Sequence, residues 1–140
     1  MIRGILIAYD GSAPARRALE VGAELAAGLG TRVGLVSVAP LEMGPPPDDP
    51  WSAASAHAAE LHEAKAFLAE RGLDAQTHEP IGDAGPMIVQ VAEDFAYDTI
   101  VLGSRQLSAL GQAVLGSVSV YVAHHANATV IIARGDADPR

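Results

Sequence analysis

Ile100-Val101-Leu102-Gly103-Ser104-Arg105-Gln106-Leu107-Ser108-Ala109-Leu110-Gly111-Gln112-Ala113-Val114-Leu115-Gly116-Ser117-Val118-Ser119 is the most informative part of the chain. The apolar run that feeds it, Asp98–Leu102, is short and nearly continuous, as expected of a strand buried on both faces. Gly103 permits a turn and a close approach of backbone. A loop follows, and a helix is expected to begin at about Gly116-Ser117, offering free N–H groups and the positive end of a dipole. Ser117 and Ser119 add hydroxyl donors, and Arg105 adds a fixed positive charge in a fork suited to phosphate. Glycines alone would be explained by an ordinary strand–loop–helix junction, so the place of this segment in the fold decides its meaning.

Three similar apolar runs stand elsewhere, at Gly4–Tyr9, Arg32–Val38 and Ala128–Ala133, and a weaker, more alternating run at Asp74–Glu79 reads as an edge strand. Helical patterns fill the gaps. Ala13–Leu29 places Ala18, Leu19, Gly22, Leu25, Ala26 and Leu29 on one face, with Ser12 as N-cap and Pro14 in the first turn. Ser52–Arg71 carries a stripe of Leu61, Ala64, Phe67 and Leu68 and stops at Gly72. Gly85–Ala96 groups Ile88, Val91, Ala92 and Phe95, and Gly116–Asn127 turns Val120 and Ala123 inward.

Strict alternation of strand and helix predicts an α/β fold: a doubly wound, five-stranded parallel sheet with right-handed crossovers and strand order 3-2-1-4-5. The switch point then lies between the first and fourth strands, and ligands of such folds sit outside the carboxyl ends of the strands there. Those ends are Tyr9-Asp10-Gly11-Ser12 and Leu102-Gly103-Ser104-Arg105.

The bulk properties narrow the partners. A length of 140 residues predicts a single domain over 1–140, with 135–140 as a disordered tail. The formal net charge of −8 disfavours nucleic acid and anionic lipid, although a local cluster of N–H groups still binds a small anion. No cysteine is present, so thiolate metal sites and thiol nucleophiles are excluded. No run approaches the ~18 apolar residues of a membrane span, and the expectation is a cytoplasmic protein. Leu41–Trp51 holds four of the nine prolines and reads as a stiff connector, with a lid over the site as the sharper alternative.

Taken jointly, Ile7-Ala8-Tyr9-Asp10-Gly11-Ser12, Asp98–Arg105, Leu115-Gly116-Ser117-Val118-Ser119, His125-Ala126 and Val130-Ile131-Ile132-Ala133-Arg134 resemble the universal stress protein family of the UspA type, over about Ile2 to Arg134. The resemblance implies an adenine-nucleotide alpha-hydrolase-like fold and a stress-response regulator that binds ATP, or ADP or AMP, with Mg²⁺ as an accompanying ion. It places Ala8 and Val38 beside the adenine, Asp10 near ribose and base, and Leu102 and Gly103 against base and ribose. Gly116, Ser117, Val118 and Ser119 would meet the phosphates, with Arg105 and Gln106 in the phosphate loop. In the ATP-binding branch the loop reads glycine, two residues, glycine, nine residues, glycine, then serine or threonine. Gly103, Gly116 and Ser117 keep their places, but Gln106 stands at the second glycine. A positive φ there costs an L-residue ~1–2 kcal/mol. The glutamine amide either crowds the phosphates or donates to one. The resemblance also implies a homodimer paired through the Ala128–Ala133 edge strand.

Other chemistry is thin. Adjacent His124 and His125 point about 100° apart on a helix, which is poor for chelation, and His57 and His62 share no face. No HExxH, no DxDxDG loop, no lysine-bearing Walker loop and no GxSxG elbow occurs. No catalytic or metal-ligating residue is assigned. Three functions remain: a nucleotide-binding regulator; a protein-interaction module of the same fold, with Gln106 marking lost binding; and a slow ATP hydrolase resting on Asp10 alone.

Overall fold

A computed structural model describes residues 1–39, 53–104 and 116–135, with side chains in the middle segment from residue 58 onward. The expectations for Leu41–Trp51, Arg105, Gln106 and residues 136–140 fall outside the described residues.

The elements are β1 (Gly4–Ala8), α1 (Ala13–Leu29), β2 (Arg32–Val36), α2 (Ala53–Ala69), β3 (Gln76–His78), α3 (Ala84–Asp94), β4 (Thr99–Gly103), α4 (Ser117–His125) and β5 (Thr129–Ala133). All strand pairs are parallel and the sheet order is β3-β2-β1-β4-β5. This is the doubly wound sheet that the alternation predicts, with β3 and β5 at its edges.

Strand side chains alternate between two apolar layers. Ile5, Ile7 and Leu35 pack with Ala18, Leu19 and Ala26 of α1 and Leu61, Ala64 and Leu68 of α2. Leu6, Val36, Ile100 and Leu102 pack with Ile88, Val91 and Ala92 of α3 and Val122 of α4. Both faces of the central strands are therefore covered, which is why their sequences run apolar without alternation.

Local chemistry sets the ends. Ser12 caps α1 by accepting from the Ala15 amide at 3.3 Å, with Pro14 just inside. Gly30, at φ +65°, closes the same helix in the left-handed conformation. β2 stops at Val36, two residues short of the expected run, although the Tyr9 amide still donates to Val36 O at 3.0 Å. The edge still holds on the β3 side, where the Ser37 amide donates to His78 O at 3.0 Å and Ala39 bridges Ile81. At the opposite end of the sheet, the Arg32 guanidinium donates to the carbonyls of Phe95 and Ala96 at 2.7 and 2.6 Å. It also lies 4.4 Å over the Tyr97 ring, whose hydroxyl meets buried His78 Nε2 at 2.9 Å. Burial holds the His78 pKa below its ordinary value, and the nearby Arg32 charge adds to the effect.

Four residues expected on buried stripes face outward. Leu29 is 54% exposed because it is the last residue of α1, where Gly30 diverts the chain. Phe95 is 44% exposed just past the end of α3, with its ring 4.4 Å from that of His78. On α4 the Ser119 hydroxyl donates to Gly103 O at 3.2 Å and so fixes the rotation of the helix. Val118, Ser119 and Val122 then face the sheet, leaving Val120 and Ala123 exposed.

Candidate functional site

β1 and β4 are neighbours whose chains leave the sheet in opposite directions, β1 towards α1 and β4 towards α4. The divergence opens a cleft of about 420 Å³ above their carboxyl ends, within the ~300–1,000 Å³ usual for small-ligand sites. Nine of the residues expected from sequence line it: Ala8, Asp10, Val38, Leu102, Gly103, Gly116, Ser117, Val118 and Ser119.

The cleft has two chemically distinct ends. Ala8, Val36, Val38, Leu102 and Ile88 form an apolar end across β1, β2 and β4. Neighbouring parallel strands lie ~4.8 Å apart, so β2 and β4 are separated by about 10 Å. The polar end lies on the far side of β4, where Gly103 and Ser104 meet the first turn of α4.

Three helix starts reach the cleft: α3 contributes Ala84 and has no side-chain cap at Asp83, while the starts of α1 and α4 differ from one another. At α1, Asp10 Oδ1 accepts from the Ser12 amide at 3.0 Å and from the Ser12 hydroxyl at 2.5 Å, and Ser12 Oγ in turn caps the helix. That dipole is already answered by a side chain and a carboxylate. At α4 the N-cap is Gly116, extended at φ −76°, and no side chain caps the first turn among the described residues. The amides of Ser117, Val118 and Ser119 are left for an anion there. Asp10 thus acts as a turn-forming acid through Oδ1, while Oδ2 makes no hydrogen bond among the described residues.

Two site residues serve the fold as well. The Ser119 hydroxyl is committed to Gly103 O, so only the Ser119 amide is free for a ligand. Gly103 is dictated by packing: a Cβ there would lie 2.2 Å from Pro14 O and 2.4 Å from Pro14 C. Its φ is not in the left-handed region, so close approach of α1, not turn geometry, requires the glycine.

The sequence reading missed Tyr9, Ser12, Val36, Ala84, Ile88 and Ser104 on the cleft wall. Val36 was legible from two-residue alternation with Val38. Ile88 was counted as core, and only the layer packing puts it under the apolar end. Burial raises the Tyr9 pKa, with Arg16 opposing, so the phenol stays neutral at ordinary pH. Among the described residues no group of three or more His, Asp or Glu side chains is placed to hold a metal ion. No described helix is long and apolar enough to cross a membrane.

Fold and cleft together define a doubly wound α/β protein with its cavity at the switch point, where proteins of this architecture carry their ligands. The chain belongs to the universal stress protein family, whose sequence model matches residues 1–134. A universal stress protein of Synechocystis is 38% identical over 63 residues, covering 45% of this chain and 41% of that protein. The matched stretches span about half the length of the curated relatives. The UspA structure of Lactobacillus plantarum superposes with a TM-score of 0.76 at 25% identity, covering 95% of this chain and 98% of that one. An Archaeoglobus fulgidus universal stress protein, solved in complex with dAMP, gives a TM-score of 0.68 at 26% identity over 94% of this chain and 97% of that chain. The architecture is the adenine nucleotide alpha-hydrolase-like fold.

Proposed function

We propose that the protein is a stress-response regulator that binds an adenine nucleotide in the switch-point cleft, with ATP as the principal ligand and ADP or AMP as related ones. One observation carries the reading: the uncapped start of α4 faces the cleft opposite an apolar slot about two strands away. A ligand with a flat apolar base and an anionic end fits that division. Ala8, Val38 and Leu102 take the base, and Asp10 Oδ2 accepts from a ribose hydroxyl. Gly103 lets the ribose approach, and the amides of Gly116, Ser117, Val118 and Ser119 hold phosphate, with Arg105 and Gln106 contributing from the loop. Mg²⁺ would arrive on the phosphates, since the cleft offers it one carboxylate among its described lining residues. The dAMP complex of the A. fulgidus relative supports an adenine nucleotide as the ligand class.

Regulation, and not turnover, is the proposed output. A single carboxylate already engaged in a turn provides no pair of groups to position water and stabilise a leaving phosphate. The working unit is a homodimer in the cytoplasm, formed through β5. That strand pairs β4 on one side only among the described residues, and Val130, Ile131 and Ile132 stay half-buried. An edge of this kind is open to a second strand.

Calorimetric titration with Mg·ATP, ADP and adenosine tests the ligand, and light scattering after size exclusion tests the assembly. Saturable ATP binding at one site per chain and a dimer mass are expected. Absence of heat up to millimolar ATP would leave an interaction module of the same fold. Stoichiometric phosphate release during the titration would point instead to the hydrolase.

A further inference from the structure

His78 is a buried titratable side chain that the nucleotide reading leaves unused. It ends β3 and is 7% exposed. Its Nε2 lies 2.9 Å from the buried Tyr97 hydroxyl, and its ring packs 4.4 Å from that of Phe95. Gly34 of β2 makes room for the pair, since a Cβ there would collide with the Tyr97 hydroxyl. A proton on this imidazole would have no anionic partner among the described residues. Burial raises the Tyr97 pKa, with Arg32 opposing, so Tyr97 stays a neutral phenol. Burial also disfavours the charged form of His78, and the Arg32 guanidinium of β2, 4.4 Å over the Tyr97 ring, adds repulsion. The nearby acids are turned elsewhere. Glu79, Glu93 and Asp94 are exposed, Asp94 accepts from Gln90 at 2.8 Å, and Asp98 is held by the amides of Arg3 and Gly4. An imidazolium here is both desolvated and uncompensated.

The pair backs the apolar wall of the cleft. Val36 is the register partner of His78 and lines that wall. Ile88 of α3 lines it too and packs in one layer with Val36 and Tyr97. The chain leaving His78 is tied to the exit of β2. The Ser37 amide donates to His78 O at 3.0 Å, the Ala39 amide to Pro80 O at 2.9 Å and the Gly82 amide to Ala39 O at 2.9 Å. It then enters α3 at Ala84, another wall residue. Val36, Val38, Ala84 and Ile88 are thus carried by β2, the β3 exit and α3, and the His78–Tyr97 bond joins β3 to the turn that follows α3.

We propose that His78 is a positioning residue that makes the cleft sensitive to acid: when its imidazole takes a proton from solvent, the pair with Tyr97 leaves the buried layer, the wall of Val36, Val38, Ala84 and Ile88 loosens, and the base end of the ligand is released. The inference rests on the nucleotide reading above and adds its regulation. The ligand selects the neutral pair, so its binding expels at most one proton. Affinity then falls by at most about tenfold per pH unit below the titration point of the folded protein. A pair with a structural role alone would change stability with pH but leave the affinity of the folded protein constant.

The test is calorimetric titration with adenosine, which has no phosphate to titrate, from about pH 8 to about pH 5. The His78 imidazole signals are followed by NMR in the same samples, assigned by their loss in His78→Gln, and far-UV circular dichroism confirms folding at each pH. In the wild type, adenosine affinity should be level at high pH and fall in step with the His78 titration. In His78→Gln it should be flat across the range. Arg32→Gln removes a charge that disfavours the imidazolium, so the His78 titration and the loss of affinity should both move to higher pH. That variant decides the matter even where His78→Gln fails to fold. Wild-type affinity that stays level while His78 titrates overturns the proposal and leaves the nucleotide reading standing. So does an equal fall in His78→Gln, an affinity profile that stays put in Arg32→Gln while the His78 titration moves, or a folded protein in which His78 takes up no proton by about pH 5. Absence of adenosine binding at about pH 8 removes the nucleotide reading and this inference with it.

Discussion

Gly103→Ala should destabilise the protein whether or not a ligand is present. The added Cβ would lie 2.2 Å from Pro14 O and 2.4 Å from Pro14 C, both backbone atoms, and 2.8 Å from Pro14 Cβ. Ordinary contact begins at about 3.4 Å, so the first turn of α1 must retreat by about 1 Å. Rotamer changes cannot absorb the shift, since the clash is with main chain. β4 cannot yield either, because it is hydrogen-bonded between β1 and β5. Overpacking of this kind costs about 2–3 kcal/mol. For a chain of this size that corresponds to a melting temperature lower by about 8–12 °C. Thermal and urea unfolding followed by far-UV circular dichroism read the change, and the urea m-value should be preserved. A variant that melts within about 1 °C of wild type would refute the packing argument. The same geometry bears on function. Pro14 and Ala15 line the cleft, so weak nucleotide binding by Gly103→Ala would report a displaced α1, not a lost phosphate contact.

Gly28→Ala is the counterpart: the position lies within α1 and a Cβ there meets nothing within 4 Å. It should stabilise by about 0.5–1 kcal/mol through helix propensity, and a lower urea midpoint would contradict this. Ser12→Ala removes the α1 cap and the hydroxyl partner of Asp10 Oδ1, and should cost about 1 kcal/mol in urea unfolding; a cost below about 0.3 kcal/mol would show that the cap is idle. The pH dependence follows from His78, whose folded pKa lies below its unfolded value. The unfolded chain then binds more protons below about pH 6.5, so stability is level above that value and falls as pH falls through it. His78→Gln should flatten the melting temperature over that window, and an unchanged slope would place the proton elsewhere. Asp98 acts in a lower window. Burial raises its pKa, but the amides of Arg3 and Gly4 and the Thr99 hydroxyl outweigh this and hold it below the ordinary value. Its contribution is present above the unfolded pKa and lost as pH falls below it.

The sheet order was legible because the strands are buried on both faces and helices alternate with them, leaving few topologies. α1 was legible to the residue, since Ser12, Pro14 and Gly30 mark its ends chemically. α4 was not. Its alternating serines and valines give no clear stripe, and one tertiary bond, Ser119 to Gly103 O, decides which face turns in. The cleft followed from the switch-point rule and the family resemblance together. Gly103 shows the limit of motif reading: it sits in the nucleotide signature, yet α1 packing alone requires a glycine there. The difference between the starts of α1 and α4 was invisible in the sequence, because capping by Ser12 and its absence at Gly116 are facts of geometry.

The decisive measurement is amide chemical-shift mapping of the ¹⁵N-labelled protein during titration with Mg·ATP. The account predicts saturating shifts for Ala8, Asp10 and Val38 at one end of the cleft and for Ser104, Gly116, Ser117, Val118 and Ser119 at the other. Ala96, Asn127 and Ala128, which line a separate hollow by the amino ends of β4 and β5, should stay still. Shifts confined to that hollow, or none at millimolar ATP, would contradict it.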